Sequence, residues 1–127
     1  MRNRLPFGNH ENSSHPNVTI VSKLNYKTKC PVTATLQLIG GRWKTIILYT
    51  LTHGTKRFGE IAVRIPEISR KVLTEQLKEL ESDGLIVREQ FKEIPPRVEY
   101  SLTDLGKSLS PVIGELEKWG IENVLAD

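Results

Sequence analysis

Leu73, Leu77 and Leu80 recur at helical spacing, with Lys71, Thr74, Glu75 and Lys78 on the intervening positions. This pattern predicts an amphipathic helix that buries one stripe and leaves a charged face in solvent. Ser69 marks its start, because a serine hydroxyl accepts a bond from a free amide of the first turn. Asp83-Gly84 marks its end, since glycine takes the left-handed conformation that closes a helix without steric cost. The pattern then changes period. In residues 85–91 and 98–102, β-branched and aromatic positions alternate in part with polar ones, as half-buried strands require, so a two-stranded hairpin is predicted. Its loop contains Pro95-Pro96-Arg97, and each proline fixes a backbone angle and lowers the entropy lost on ordering an exposed tip. Arg97 is therefore expected on a stiff arm, with Arg88 and Lys92 beside it.

Upstream, Pro31 suits a first helical position and is followed by Val32, Leu36 and Ile39, with Gly40-Gly41 as a break. Trp43, Ile46, Ile47, Tyr49, Thr50 and Leu51 then give a broad apolar surface that ends at His53-Gly54, which predicts a central core helix flanked by Arg42 and Lys44. Residues 57–65 read as a short helix closed by Pro66, which disfavours helical geometry in the residue before it. The three-residue link 66–68 to Ser69 matches the turn of a helix-turn-helix. After the hairpin, Thr103 is expected to cap a last helix with a continuous seam of Leu105, Leu109, Val112, Ile113, Leu116 and Trp119, bent at Pro111. Gly106, Gly114 and Gly120 make that helix poor in isolation. Together with the first helix, its seam predicts a two-fold dimer.

A short helix, a tight turn, a cationic helix and a basic ribbon define a winged helix-turn-helix, mainly α with a small β-hairpin wing. Double-stranded DNA is the partner this arrangement predicts. Ser69 and the nearby amides suit phosphate, Lys71 and Thr74 can reach base edges, and Glu75 can accept from a cytosine. Arg70 and Lys78 complete the outer side. Arg97, helped by Arg88 and Lys92, can bond phosphate or enter a minor groove. A solvated hairpin without a ligand is the alternative for the ribbon. A symmetric pair of such helices would meet half-sites about 34–36 Å apart, or a multiple of it.

Composition narrows the remaining classes. The 127 residues fit one domain, divided into a flexible arm at 1–25, with a short strand at 18–21, and a domain at 26–127. The apolar runs are too short to span a bilayer and no signal-peptide core is visible, so a cytoplasmic location is expected. The single cysteine excludes an internal disulfide framework. Net charge is only +3, yet its layout is uneven: five Lys/Arg against one acid in 1–41, eleven against eight in 42–97, two against six in 98–127. The basic balance accompanies the reading unit, and the acidic end belongs away from phosphate. His10, His15 and His53 supply no convergent catalytic set, and one cysteine with scattered histidines supplies no metal cluster. No enzyme activity, cofactor or metal is expected. Two rival readings remain: a winged helix that binds protein, whose interactions would survive salt, and a regulator with a small-molecule pocket near Trp43 and Trp119.

Cys30-Pro31-Val32, Leu38-Ile39-Gly40-Gly41-Arg42-Trp43-Lys44, Arg57-Phe58, Val72-Leu73-Thr74, Leu80-Glu81-Ser82-Asp83-Gly84-Leu85 and the block from Pro95 to Thr103 form an ordered set. In these blocks, across residues 30–120, the chain resembles the HxlR family. The resemblance implies a bacterial or archaeal winged-helix regulator that dimerises through its first and last helices and sets its recognition helix in the major groove. It makes Arg70, Lys71, Thr74, Glu75 and Lys78 the determinants of operator choice, and repression the default outcome. Several members use a cysteine at the position of Cys30 to sense electrophiles or oxidants. The residues themselves allow that role, because Cys30 precedes a helix start, with Lys27 and Lys29 nearby, and both features favour thiolate. They equally allow a small buried apolar side chain. With no second cysteine, a response takes the form of an adduct, a mixed disulfide or a bond between two Cys30 residues of a dimer.

Overall fold

The structure, a computed structural model, describes residues 30–125. The expected arm at 1–25, the short strand at 18–21, Lys27 and Lys29 lie outside the described residues. Helix α1 (Pro31–Ile39) begins with Pro31 at its first position, where a missing N–H leaves no bond unmade. Helix α2 (Lys44–Leu51) supplies the centre of the core, with Ile47, Leu48 and Leu51 buried. Strand β1 (Lys56–Arg57) leads into α3 (Phe58–Arg64), and α4 (Arg70–Ser82) follows after the turn. Strands β2 (Ile86–Phe91) and β3 (Arg97–Leu102) form the hairpin, and α5 (Asp104–Lys107) and α6 (Ser110–Asn123) end the described chain.

The core joins Ile47 and Leu48 of α2 to Ile61 of α3, Leu73, Leu77 and Leu80 of α4, and Leu85, Ile86, Tyr100 and Leu102 of the hairpin. All three leucines that defined α4 in the sequence are buried. At about 25 cal/mol per Å² of apolar surface, this contact anchors the helix far more firmly than its intrinsic propensity does. Gly84 has φ of 76°, the left-handed value expected after the helix. Thr103 then ties three elements together: its hydroxyl donates to the Gly84 carbonyl at 2.6 Å and accepts from the Gly106 amide at 3.0 Å.

Three features depart from the sequence reading. The sheet has three strands in the order β1-β3-β2, because Lys56 and Arg57 pair with Tyr100 and Glu99 across β3. Two residues carry no alternation, so nothing in their pattern announced a strand. Helix α3 correspondingly starts at Phe58, with Arg57 as its cap residue and the Arg57 amide donating to Glu60 Oε1 at 2.8 Å. Third, the expected single last helix is two. Pro111 does not bend a helix; it stands in the first turn of α6, where it removes no bond. The seam divides accordingly. Leu105, Leu109 and Ile113 pack on the core, whereas Val112, Leu116 and Trp119 are exposed.

Candidate nucleic-acid interface

Ser69 caps α4 as expected, its Oγ accepting from the Val72 amide at 3.1 Å. Because the buried stripe fixes the rotation of the helix, Arg70, Lys71, Thr74, Glu75 and Lys78 are all exposed on the remaining side. Two of them are already engaged. Thr74 Oγ1 donates to the Arg70 carbonyl at 2.8 Å, so its methyl group and an oxygen lone pair are what it can offer outward. The Arg70 guanidinium lies 4.8 Å from the centre of the Phe58 ring, a cation–π contact that joins the two helices of the helix-turn-helix. Lys71 and Lys78 form no ion pair with a described residue. On the opposite flank, Lys44 Nζ is 2.7 Å from Glu79 Oε1 and ties α4 to α2.

The hairpin register decides what faces this helix. Arg88 pairs with Tyr100 and Gln90 with Val98, on the ribbon face that carries the buried Ile86 and Leu102. Opposed residues of an antiparallel pair project to the same side. Arg88 therefore shares a cleft of about 340 Å³ with Phe58, Thr74, Lys78, Glu81 and Tyr100, which makes the outer side of α4 continuous with the wing. Phe91, paired with Arg97, and Glu89, paired with Glu99, occupy the other face.

Arg97 is placed differently from the expected free arm. Its Nη2 is 3.1 Å from Glu93 Oε2, its Nε is 3.3 Å from Glu99 Oε2, and its guanidinium stacks 4.2 Å from the Phe91 ring centre. The Nε is enclosed without a well-aligned hydrogen bond, so the Glu99 contact is an ion pair of poor linearity. Residues 92–96 of the tip are all exposed, Ile94 fully so, and Lys92 is the cation among them. Sequence reasoning missed Phe58, Glu93, Glu99 and Phe91 as partners. Only the i, i+2 spacing of Arg97 and Glu99, which puts both on one strand face, was available as a signal.

Cys30 is the exposed cap residue of α1, in extended conformation. The Thr33 hydroxyl, together with the Thr33 and Val32 amides, holds its thiol below the ordinary thiol range. The hydroxyl contributes most, and the two amides, free donors of the first turn of α1, add to it. Elsewhere, a groove of about 610 Å³ runs between α2 and α6, with Ile46, Tyr49, Ile113 and Leu116 on its walls and Arg42 at one edge. Neither Trp43 nor Trp119 lines it; Arg42 stacks 4.3 Å over Trp43, and Trp119 borders a second groove on the outer side of α6. The Tyr49 hydroxyl donates to Glu117 Oε2 at 2.8 Å across the first groove, and this bond raises the phenol above its usual range. Among the described residues, no helix is long and apolar enough to cross a membrane.

Comparison with known proteins gives this geometry a context. The profile described as HxlR-like helix-turn-helix matches residues 38–127. The HTH-type transcriptional regulator YdeP of Bacillus subtilis is 54% identical over 91 residues, which cover 72% of this chain and 71% of that one. Among solved structures, the redox regulator HypR in its oxidised form has a TM-score of 0.71 at 47% identity, covering 74% of this chain and 97% of its own. The reduced form of the transcriptional regulator YodB from B. subtilis has a TM-score of 0.66 at 38% identity, covering 79% of this chain and all (100%) of its own. With the cationic outer side of α4 set beside a winged hairpin and this match across most of its length, the chain belongs to the HxlR family of DNA-binding, helix-turn-helix transcriptional regulators.

Proposed function

We propose that this regulator is a sequence-specific repressor that binds a palindromic operator as a homodimer and responds to electrophiles or oxidants at Cys30. The outer side of α4, exposed and continuous with Arg88 of the wing, carries the DNA reading. Ser69, Arg70, Lys71, Thr74, Glu75 and Lys78 are its major-groove set, and Arg88 and Lys92 are its flanking cations. Two-fold assembly is supported by apolar side chains that the single chain leaves in solvent: Val32 and Leu36 on α1, and Val112, Leu116 and Trp119 on α6. An exposed Trp119 together with those neighbours is the composition of a homodimer contact more than of a free surface.

Sequencing of fragments that the protein retains from a pool of genomic DNA, with and without a thiol-reactive aldehyde, tests the proposal. A two-fold palindrome should be enriched, with half-sites about 34–36 Å apart or a multiple of it, and retention should fall steeply with salt. Retention that enriches no sequence even in dilute buffer would favour the protein-binding alternative.

Cys30 supports the sensing part through its helix-start position, and the redox regulator HypR is a structural relative. Oxidation of two Cys30 thiols to a disulfide would pass two electrons to the oxidant and release two protons, linking two chains. An electrophile would instead leave one adduct per chain. Because the folded state favours thiolate, any contribution of Cys30 to stability is present at higher pH and is lost as pH falls through its lowered pKa. Iodoacetamide alkylation should accordingly reach half its limiting rate below the midpoint of an unstructured thiol. Thr33→Ala, which removes the largest cause of the shift, should move that midpoint upward. A Cys30 that reacts like a free thiol in both proteins removes the sensing role.

A further inference from the structure

We propose that Arg97 is a positioning residue that clamps the wing, and that the wing meets the minor groove through Lys92 and the apolar Ile94; this rests on the DNA-binding reading above. Three observations carry it. Arg97 is committed: Glu93, Glu99 and Phe91 hold its guanidinium on two edges and one face. Two carboxylates against one guanidinium leave that cluster with no positive surplus to offer a phosphate. Its strand position is also unfavourable, because Arg97 and Glu99 share the ribbon face opposite to Arg88, and Arg88 is the one beside α4. Finally, the loop between β2 and β3 exposes other groups. Lys92 is exposed and forms no ion pair with a described residue, while Ile94 is 102% exposed.

An isoleucine held fully in water at the tip of a structured hairpin gains apolar contact as soon as a surface covers it. The minor groove fits that need, since its walls are sugar edges and its binders insert apolar wedges such as isoleucine and proline. Pro95 and Pro96 follow directly and limit how far the tip can yield. Lys92, two residues before Ile94, is placed to meet the adjacent phosphates. The clamp then has a purpose. By tying Glu93 of the loop and Phe91 of β2 to its own strand, Arg97 holds in place the tip that presents Lys92 and Ile94.

The test is the salt dependence of binding to the duplex recovered by genomic selection, measured for the parent, Lys92→Gln, Arg97→Gln, Arg97→Lys and Ile94→Ser. Lys92→Gln should reduce the slope of log affinity against log salt by about 0.9, the loss of one phosphate contact. Arg97→Gln should weaken binding while leaving the slope at the parent value. Arg97→Lys separates charge from geometry: a phosphate contact would keep near-parent affinity, whereas a clamp loses its two-edged hold and weakens binding at unchanged slope. Ile94→Ser should lower affinity about fivefold to tenfold, again at unchanged slope. A slope reduced by Arg97→Gln, or left intact by Lys92→Gln, overturns the assignment of the cations, and an unaltered Ile94→Ser overturns that of the tip. A parent that retains no duplex overturns the DNA reading itself, and this inference falls with it.

Discussion

Gly106→Ala should lower the thermal midpoint by roughly 12–20 °C, or leave the chain unfolded, corresponding to about 3 kcal/mol for a domain of this size. Gly106 is buried in α5, and a Cβ built there would sit inside contact distance of the Leu85 carbonyl and against Leu102 Cδ2. Backbone, not a flexible side-chain end, is what obstructs it. That carbonyl cannot retreat easily, because it accepts from the Thr103 amide at 3.1 Å. Gly106 is held from its own side as well, since its amide donates to the Thr103 hydroxyl that also bonds Gly84. Relief requires opening the junction where α4 ends, β3 ends and α5 begins. Gly114→Ala is the matched control: its Cβ meets nothing within 4 Å, and alanine is the better helix former by about 1 kcal/mol. The control should melt at or above the parent temperature. If Gly106→Ala melts within a few degrees of it, the junction is looser than described.

What could be read from the sequence follows the range of the interactions involved. Helix α4 was legible almost to the residue, because cap, stripe and stop are local signals: Ser69 bonds Val72, Leu73, Leu77 and Leu80 are buried, and Gly84 is left-handed. The hairpin and the turn before α4 were legible for the same reason. Strand β1 was not. It exists only because β3 offers an open edge to Lys56 and Arg57, a contact that spans more than forty residues and leaves no periodic trace. The last helix misled in another way. Apolar residues from Leu105 to Trp119 keep one helical rhythm, so pattern alone could not tell that the chain turns at Ser108 and Leu109 and that Pro111 opens a new helix.

At the candidate site the same division holds. Exposure of Lys71, Thr74, Glu75 and Lys78 follows from the leucine stripe, so the outer side was readable once the helix was. The partners of Arg97 were not, since Glu93 lies in a loop and Phe91 on the opposite strand. Two prolines and an arginine suggest a presented cation by composition. Strand register instead sets it on the ribbon face opposite Arg88, where Glu93, Glu99 and Phe91 hold it. Arg70 is a similar case, where a residue on the reading side also braces α3 through Phe58 and so couples the angle of the helix-turn-helix to its charge.

That coupling makes Lys71 the cleaner probe of base reading. Lys71→Ala should weaken binding to the selected operator by about 10-fold to 100-fold, the worth of one good base contact, and should flatten the preference for that operator over single-base variants. Lys71 stands two residues beyond the cap, exposed and without an ion pair to a described residue. Its removal therefore leaves the anchoring of α4 intact, because Leu73, Leu77 and Leu80 stay buried, Glu79 keeps Lys44, and alanine favours the helix. A lysine that touched only phosphate would behave otherwise. Its loss would weaken operator and unrelated duplex alike and cut the salt slope by about 0.9. Competition of the operator against its single-base variants, at one fixed salt concentration and again across a salt series, separates the two cases. Should the ratio of operator to variant affinity stay at the parent value, Lys71 does not read bases, and operator choice passes to Thr74, Glu75 and Lys78 further along the same side of α4.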